Sequence, residues 1–527
     1  MQTILKSLAK SWPFLIGIFL GIYFIALNIT GKSFSHFPGD LGDGRFNTYI
    51  LEHSHKFFTG QIKSFWNAPF MYPAPNVITY SDNLLGSAPF YSIFRFLGFD
   101  RETSFQWWFV VMFILNYSCC YFFLNWCFKN KYAAVLGAMV FAFSMALQSQ
   151  MTHAQTFPRY PIPLAFLMCL LFMRDLKPIY FFFALFFVVY QFYCGIYLGF
   201  LLSVPIALLL IFIYMHKRDI FLQKFKSKKW SRMIIASVIL NIIIFLPLMI
   251  PYITNGMGHN SYGSIVSTIP TIKSYFFSQG GSLFWNFLNA TCNKYTAWWD
   301  HQIFPGGIAM ICILIFSFFI IAKIINKNSF GKISIDYSLI ILFITGLITF
   351  LLFLRFQNFS FYKIVKNLPG FGSMRSITRI INIELIFFAI ATAFVFSILL
   401  KKQNIFSVLI FIFLAGFLIA DNYYKEGTSY RTEKAVSQKR VDNLIAKMKN
   451  IPKGSIVSYE PDQYDDAGKC QIDAMLASQT LNLKTVNGYS GNSPAAYSPF
   501  WFQLNRKARE DWFKSIEFKP DTVYVVH

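Results

Sequence analysis

The chain is 527 residues long, 55% hydrophobic and 20% aromatic, with a formal net charge of +23. Such a composition excludes an ordinary soluble domain and points to repeated passage through a bilayer, which takes runs of about 20 apolar residues. The surplus of Lys and Arg does not indicate nucleic acid, because it falls in short loops between apolar runs, where the positive-inside rule places it.

About eleven apolar segments follow in chain order, near 12–29, 105–126, 132–149, 158–173, 178–194, 196–215, 233–251, 305–325, 336–354, 381–400 and 404–421. The two flanking Gly195 also read as one broken or re-entrant pair. The first run is too long for a cleavable signal, and no small-residue cleavage site follows it. Basic residues then sort by side. Lys6 and Lys10 precede the first run; Lys129, Lys131, Arg174, Lys177 and the group from Lys217 to Arg232 fall after even-numbered runs, as do Lys323, Lys327, Lys332, Lys401 and Lys402. This predicts a cytoplasmic N-terminus and, with an odd number of spans, a C-terminus outside. Richness in Ile, Lys, Asn and Phe adds a bacterial inner membrane as the setting. The eight cysteines form no disulfide framework, six of them lying in or beside apolar runs as small hydrophobes.

The expected organisation is a transmembrane domain over 1–421, with a long first outer loop at 30–104, and an extracytoplasmic domain over 422–527. Shorter outer segments are expected at 150–157, 252–304 and 355–380. The tail reads as a small α/β domain: helices near 441–448 and 470–481, strands near 454–460 and 523–526, and a turn at 487–491.

Chemistry-bearing residues gather in the outer segments. Asp40 and Asp43 stand in Gly39-Asp40-Leu41-Gly42-Asp43-Gly44-Arg45, where glycines let the backbone turn tightly around a ligand. Such a pair can supply a base for an acceptor hydroxyl or hold Mg²⁺ or Mn²⁺ on donor phosphates; the plain alternative is a solvated loop with one Asp paired to Arg45. Asp82 can complete a metal site with Asp43, orient a sugar hydroxyl, or simply N-cap the segment from Asn83. His153 at the end of the third span can shuttle a proton, bind metal or donate to phosphate. Arg159, just inside the fourth span, is costly there unless it meets an anion, a partner or the interface. Arg375 and Arg379, four apart after a candidate N-cap at Ser373, predict two guanidiniums on one helix face, suited to a phosphate, or an ion pair with Glu384. Trp298-Trp299-Asp300-His301 brings an imidazole, His301, toward the same outer cavity, or anchors the interface through its aromatics.

With these residues in place the chain resembles the GT-C integral-membrane glycosyltransferases, in particular bacterial GT-C-like proteins. The resemblance runs over nearly the whole chain. It rests on Gly39–Asn47 with Leu51-Glu52-His53, on His153, Gln155, Arg159 and Tyr160, on Pro369–Arg375 and on Asn487–Gly491. It implies a polyprenyl-phosphate-linked sugar donor delivered from the lipid bilayer, transfer with inversion to an envelope glycan, lipid or protein acceptor, and Arg375 and Arg379 on the lipid phosphate. It also implies that one acidic residue is the base, or that both serve metal and acceptor. The usual acidic pair of that superfamily is more tightly spaced than Asp40 and Asp43.

The expectation is therefore a multi-pass inner-membrane glycosyltransferase acting on the outer face. Asp40 is assigned as base and Asp43 as support, with Asp82, His153, Arg159, His301, Arg375 and Arg379 around the substrate and Mg²⁺ or Mn²⁺ as the candidate cofactor. A flippase for lipid-linked saccharide and a non-catalytic envelope assembly protein are the rival readings. The first needs polar residues along a mid-bilayer path.

Overall fold

The computed structural model describes residues 2–256, 258–325, 336–357, 359–402 and 404–527, without the side chains of residues 2–10. The basic positions Lys6, Lys10, Lys327 and Lys332 of the charge map lie outside the described residues or side chains. Among the described residues nine helices are long and apolar enough to cross a bilayer: Ser11–Thr30, Arg101–Phe128, Lys131–Gln148, Ala154–Asp175, Ile196–His216, Lys228–Thr254, Gly307–Ile325, Ile377–Leu399 and Ile405–Asn422. Two further apolar helices, Pro178–Cys194 and Tyr337–Phe353, have 17 residues each. At 1.5 Å per residue those two reach about 26 Å, a little under the hydrocarbon thickness. The chain is a polytopic helical membrane protein, and its apolar helices fall on the eleven expected segments. Helix is the outcome because a chain in lipid must satisfy its backbone groups internally.

Burial ranks the spans. Lys131–Gln148 is 94% buried and forms the centre with Ile377–Leu399, whereas Lys228–Thr254 and Gly307–Ile325 are only 22% buried and turn isoleucines outward. Gly137 is what lets the two central helices meet: a Cβ there would stand 2.6 Å from the Ala389 carbonyl oxygen. At Gly195 the backbone goes extended (φ −179°), so Pro178–Cys194 and Ile196–His216 are two separate helices.

The connections carrying the candidate residues meet at one end of this bundle. His36–Pro38, after the first span, pairs antiparallel with Arg431–Glu433, after the last. The tail holds a three-stranded parallel sheet in the order Lys484–Thr485, Ile456–Tyr459, Val523–Val526, with helices Lys434–Met448 and Ala467–Leu481. The long loop at 30–104 covers the 484–485 edge, the Thr485 amide donating to Pro69 O at 2.9 Å and the Tyr72 amide to Thr485 O at 3.0 Å. An α/β tail is thus present, and it is built against the first loop. The expected turn at 487–491 is instead an irregular stretch threaded into that loop, with Gly488 against Met71.

Candidate active site

Two glycines make the Asp40–Asp43 loop possible. Gly39 has φ +89°, and a Cβ on it would lie 2.9 Å from Met151 O; at Gly44 the same atom would meet Pro38 O at 2.8 Å. Within this tight turn Asp40 folds back on its own backbone, one oxygen accepting the amides of Gly42 at 3.0 Å and Gly44 at 3.4 Å. Asp43 is the first residue of the helix Asp43–Phe58, where the helix dipole favours a negative charge.

The two carboxylates therefore part company. Asp43 lines a cavity of about 410 Å³; Asp40 does not. Asp43 Oδ1 accepts the Tyr489 hydroxyl at 2.6 Å, and Oδ2 lies 3.1 Å from His153 Nδ1, whose ring is turned off the hydrogen-bond line. Burial pushes the Asp43 carboxyl up, but His153 and Tyr489 more than reverse it, and the net shift is down. Asp40 is held above the ordinary carboxylate value, first by partial loss of solvent and then by the charge of Asp43. Burial pushes the Tyr489 phenol up as well, and Asp43 adds to it. Asp40, expected as the base, spends one oxygen on the turn and lies outside this cavity.

The opposite wall is assembled around Tyr197, at the start of Ile196–His216. Its hydroxyl accepts the backbone amides of Arg375 and, at 3.0 Å, Ser376, and its ring lies 4.7 Å under the Arg379 guanidinium. These contacts hold 374–376 out of helical geometry, so Ser373 is no N-cap; its hydroxyl bonds Gly370 O at 2.6 Å. The predicted helix face with both arginines is absent: a 3₁₀ turn, Ile377–Ile380, precedes Ile381–Leu399. Both arginines nonetheless line the cavity, and among the described residues neither forms an ion pair. Glu384, the expected partner, is taken by the Tyr275 hydroxyl at 2.6 Å.

Asp82 lines the same cavity, buried, but it does not cap the segment from Asn83. It accepts the Tyr197 amide at 3.4 Å and so caps a helix 115 residues away. Burial pushes its carboxyl up, against the lowering effect of Arg379. Asn47 fixes the floor by donating to Asp43 O at 2.8 Å and to Gln155 Oε1 at 3.1 Å.

Two expected residues stand elsewhere. His301 is buried with one ring nitrogen 2.7 Å from Ser274 Oγ and the other 2.7 Å from Ser267 O, a satisfied loop histidine outside the cavity wall. Arg159 neither snorkels nor reaches the cavity. It is fully buried with its guanidinium 4.9 Å from the Phe141 ring centre. Sequence reasoning missed Tyr197, which looks like any span aromatic, and the Tyr252 side of the cavity. Tyr489 was visible only as part of an Asn-Gly-Tyr-Ser-Gly turn.

The donor set does not build a protein cage for Mg²⁺ or Mn²⁺. Among the described residues no three His, Cys, Asp or Glu converge. Of the expected metal pair, Asp43 has both oxygens engaged by Tyr489 and His153, and Asp82 faces the helix amides.

No protein-family model matches the sequence, and no curated protein matches it. Among solved structures the chain is similar to the crystal structure of an oligosaccharyltransferase from Archaeoglobus fulgidus in complex with zinc and sulfate. The identity is 12%, over 96% of this chain and 67% of that one, with a TM-score of 0.42. No residue correspondence follows from likeness at that level.

Proposed function

We propose that the protein is a glycosyltransferase of the GT-C type on the extracytoplasmic face of a bacterial inner membrane. It transfers a sugar from a polyprenyl-phosphate donor to an acceptor hydroxyl with inversion. One observation carries the reading: a single cavity at the end of the helical bundle has Asp43 on one wall, with His153 3.1 Å from its carboxylate, and Arg375 and Arg379, in no ion pair among the described residues, on another. Two guanidiniums on one cavity wall, neither in an ion pair among the described residues, favour an anion there, and a phosphate suits guanidinium geometry.

In this mechanism the roles first expected of the two carboxylates are exchanged. Asp43, paired with His153, is the base; Asp40 positions it by holding the turn before the helix. The acceptor O–H bond breaks as its oxygen bonds the anomeric carbon, and the proton passes to the Asp43–His153 pair. The bond from that carbon to the phosphate oxygen breaks with its electron pair. Arg375 and Arg379 meet the negative charge that grows on the leaving phosphate, in a site where fixed donors act more strongly than in water. Tyr197 keeps both arginines in place, and Asp82 keeps Tyr197 in place. No step runs through a metal.

The test uses the purified full-length protein in nanodiscs with polyprenyl-phosphate sugars. Loss of a positioned base lowers turnover by about 10²–10⁴. Asp43→Asn is expected in that range, while parental turnover in that variant refutes the assignment.

A further inference from the structure

A second, smaller cavity of about 180 Å³ adjoins the first, and the reaction as described leaves it unused. His153 and Arg379 both line it, so it reaches the Asp43–His153 pair from the imidazole side. Its outer wall is Trp299 and Asp300, from the motif in the 252–304 loop, with Thr152 and Tyr430 completing it. Trp299 is 54% exposed, presenting an indole to a ligand. Among the described residues the Asp300 carboxylate has no ion pair and no side-chain hydrogen bond, and the Thr152 and Tyr430 hydroxyls have no partner either.

We propose that this small cavity is the acceptor subsite and that it takes one saccharide unit, with the indole of Trp299 against the sugar's C–H face and Asp300 accepting a ring hydroxyl. The proposal rests on the glycosyl-transfer reading and names its acceptor as carbohydrate. The wall chemistry selects among ligands. A phosphate is disfavoured because Asp300 sets a free carboxylate beside the one arginine, whereas the larger cavity offers two arginines. An acyl chain is disfavoured because the wall sets an imidazole, a carboxylate and a guanidinium around the space, from His153, Asp300 and Arg379. A peptide needs an extended groove with backbone partners, and this cavity is less than half the size of its neighbour. Free hydroxyls and a carboxylate around an aromatic plate match a ligand with donors and acceptors at its rim and apolar C–H bonds on its face. A hydroxyl of that sugar pointing inward meets His153, whose other side is Asp43, and this is the route by which the acceptor proton reaches the pair.

The proposal is tested by saturation-transfer NMR on the full-length protein in nanodiscs. The probes are a panel of methyl pyranosides and methyl furanosides, with a Ser/Thr-containing tripeptide alongside. Saturation is expected to reach the ring C–H protons of at least one glycoside. Trp299→Ala and Asp300→Ala should each lower it at least fivefold, Trp299→Phe should largely restore it, and inorganic phosphate should not displace it. Equal signals in the parent and both alanine variants overturn the proposal, as does transfer to the tripeptide with none to any glycoside. Failure of the two readings is distinguishable. Glycoside binding that survives in an Asp43→Asn protein with parental turnover overturns the catalytic role and leaves the subsite standing. Asp43-dependent turnover with no glycoside binding does the reverse.

Discussion

Asp43 and Arg45 lie two residues apart on one helix and hold charge on opposite terms. Arg45 is 1% exposed and meets Asp473 at 2.5 Å; Asp473 also takes Arg440 at 2.8 Å, and Arg440 in turn meets Asp465 at 3.1 Å. Every charge in this chain of contacts has a counter-charge, and together they join the long loop at 30–104 to the tail. On the cavity side Asp43 is held by a tyrosine and a histidine, and among the described residues the arginines opposite form no ion pair. The difference separates charge used to hold the fold from charge left open for a ligand. A self-satisfied buried network costs desolvation and is returned that cost by its own partners. The arginines on the cavity wall, one exposed and one half-buried, are left free to meet an anion.

The largest effect expected from breaking this contrast is on the closed side. Arg45→Met leaves Asp473 buried with one partner fewer, and removing one member of a buried pair typically destabilises by about 3–5 kcal/mol. The prediction is a lower melting temperature and faster proteolysis between loop and tail, with kcat per folded molecule near the parent's. A parental melting curve breaks the distinction.

The open side should respond the other way. Arg375→Ala and Arg379→Ala each remove a charge-assisted contact to the donor phosphate, worth about 1.5–3 kcal/mol, or about 10- to 100-fold in kcat/KM. Stability should hold, because Arg375 is exposed, Arg379 half-buried, and neither is in an ion pair among the described residues. Loss of folding in both, with no change in donor KM, marks them as structural instead.

How much of this was legible in the sequence follows from where each determinant lies. The spans were legible because lipid enforces helix and length over a local run. The Asp-x-x-Asp loop was legible because few carboxylates occur in so basic a chain. The choice between its two residues was not, because Tyr489, 446 residues away, and His153 make the difference. The same holds for the arginines. Ser373 and the spacing of four suggested a helix start, but the Tyr197 hydroxyl, 178 residues distant, captures the amide of Arg375 and holds the strand extended. His301, in the 252–304 segment, and Arg159, just inside the outer end of the fourth span, point to the site by position alone. Their surroundings, two serine partners for one and an aromatic ring for the other, place them in the packing. Charge in the loops predicts a side for each segment, whereas long-range partners leave no local signal.

The smallest and sharpest prediction concerns the link between the two regions. Tyr489 belongs to the tail that the Arg45 network docks, yet its hydroxyl ends on the cavity carboxylate. That donor favours the ionised form of Asp43 and helps hold its carboxyl below the ordinary value. Tyr489→Phe removes the donor and leaves the burial, so the Asp43 pKa rises. A hydrogen bond to a charged group is worth about 1.5–3 kcal/mol. The side chain of Asp43 stays 35% open, so solvent makes up part of the loss and the rise stays modest. The sign is definite. A carboxyl with a depressed folded-state pKa adds stability above its unfolded value, and that stability fades as pH falls through the folded value. The variant should therefore be slightly less stable at neutral pH, converging on the parent in acid. The acid limb of its kcat/KM profile should move to higher pH, with little change in turnover at about pH 8. Acid limbs that superimpose would mean that the tail docks against the active site without tuning it.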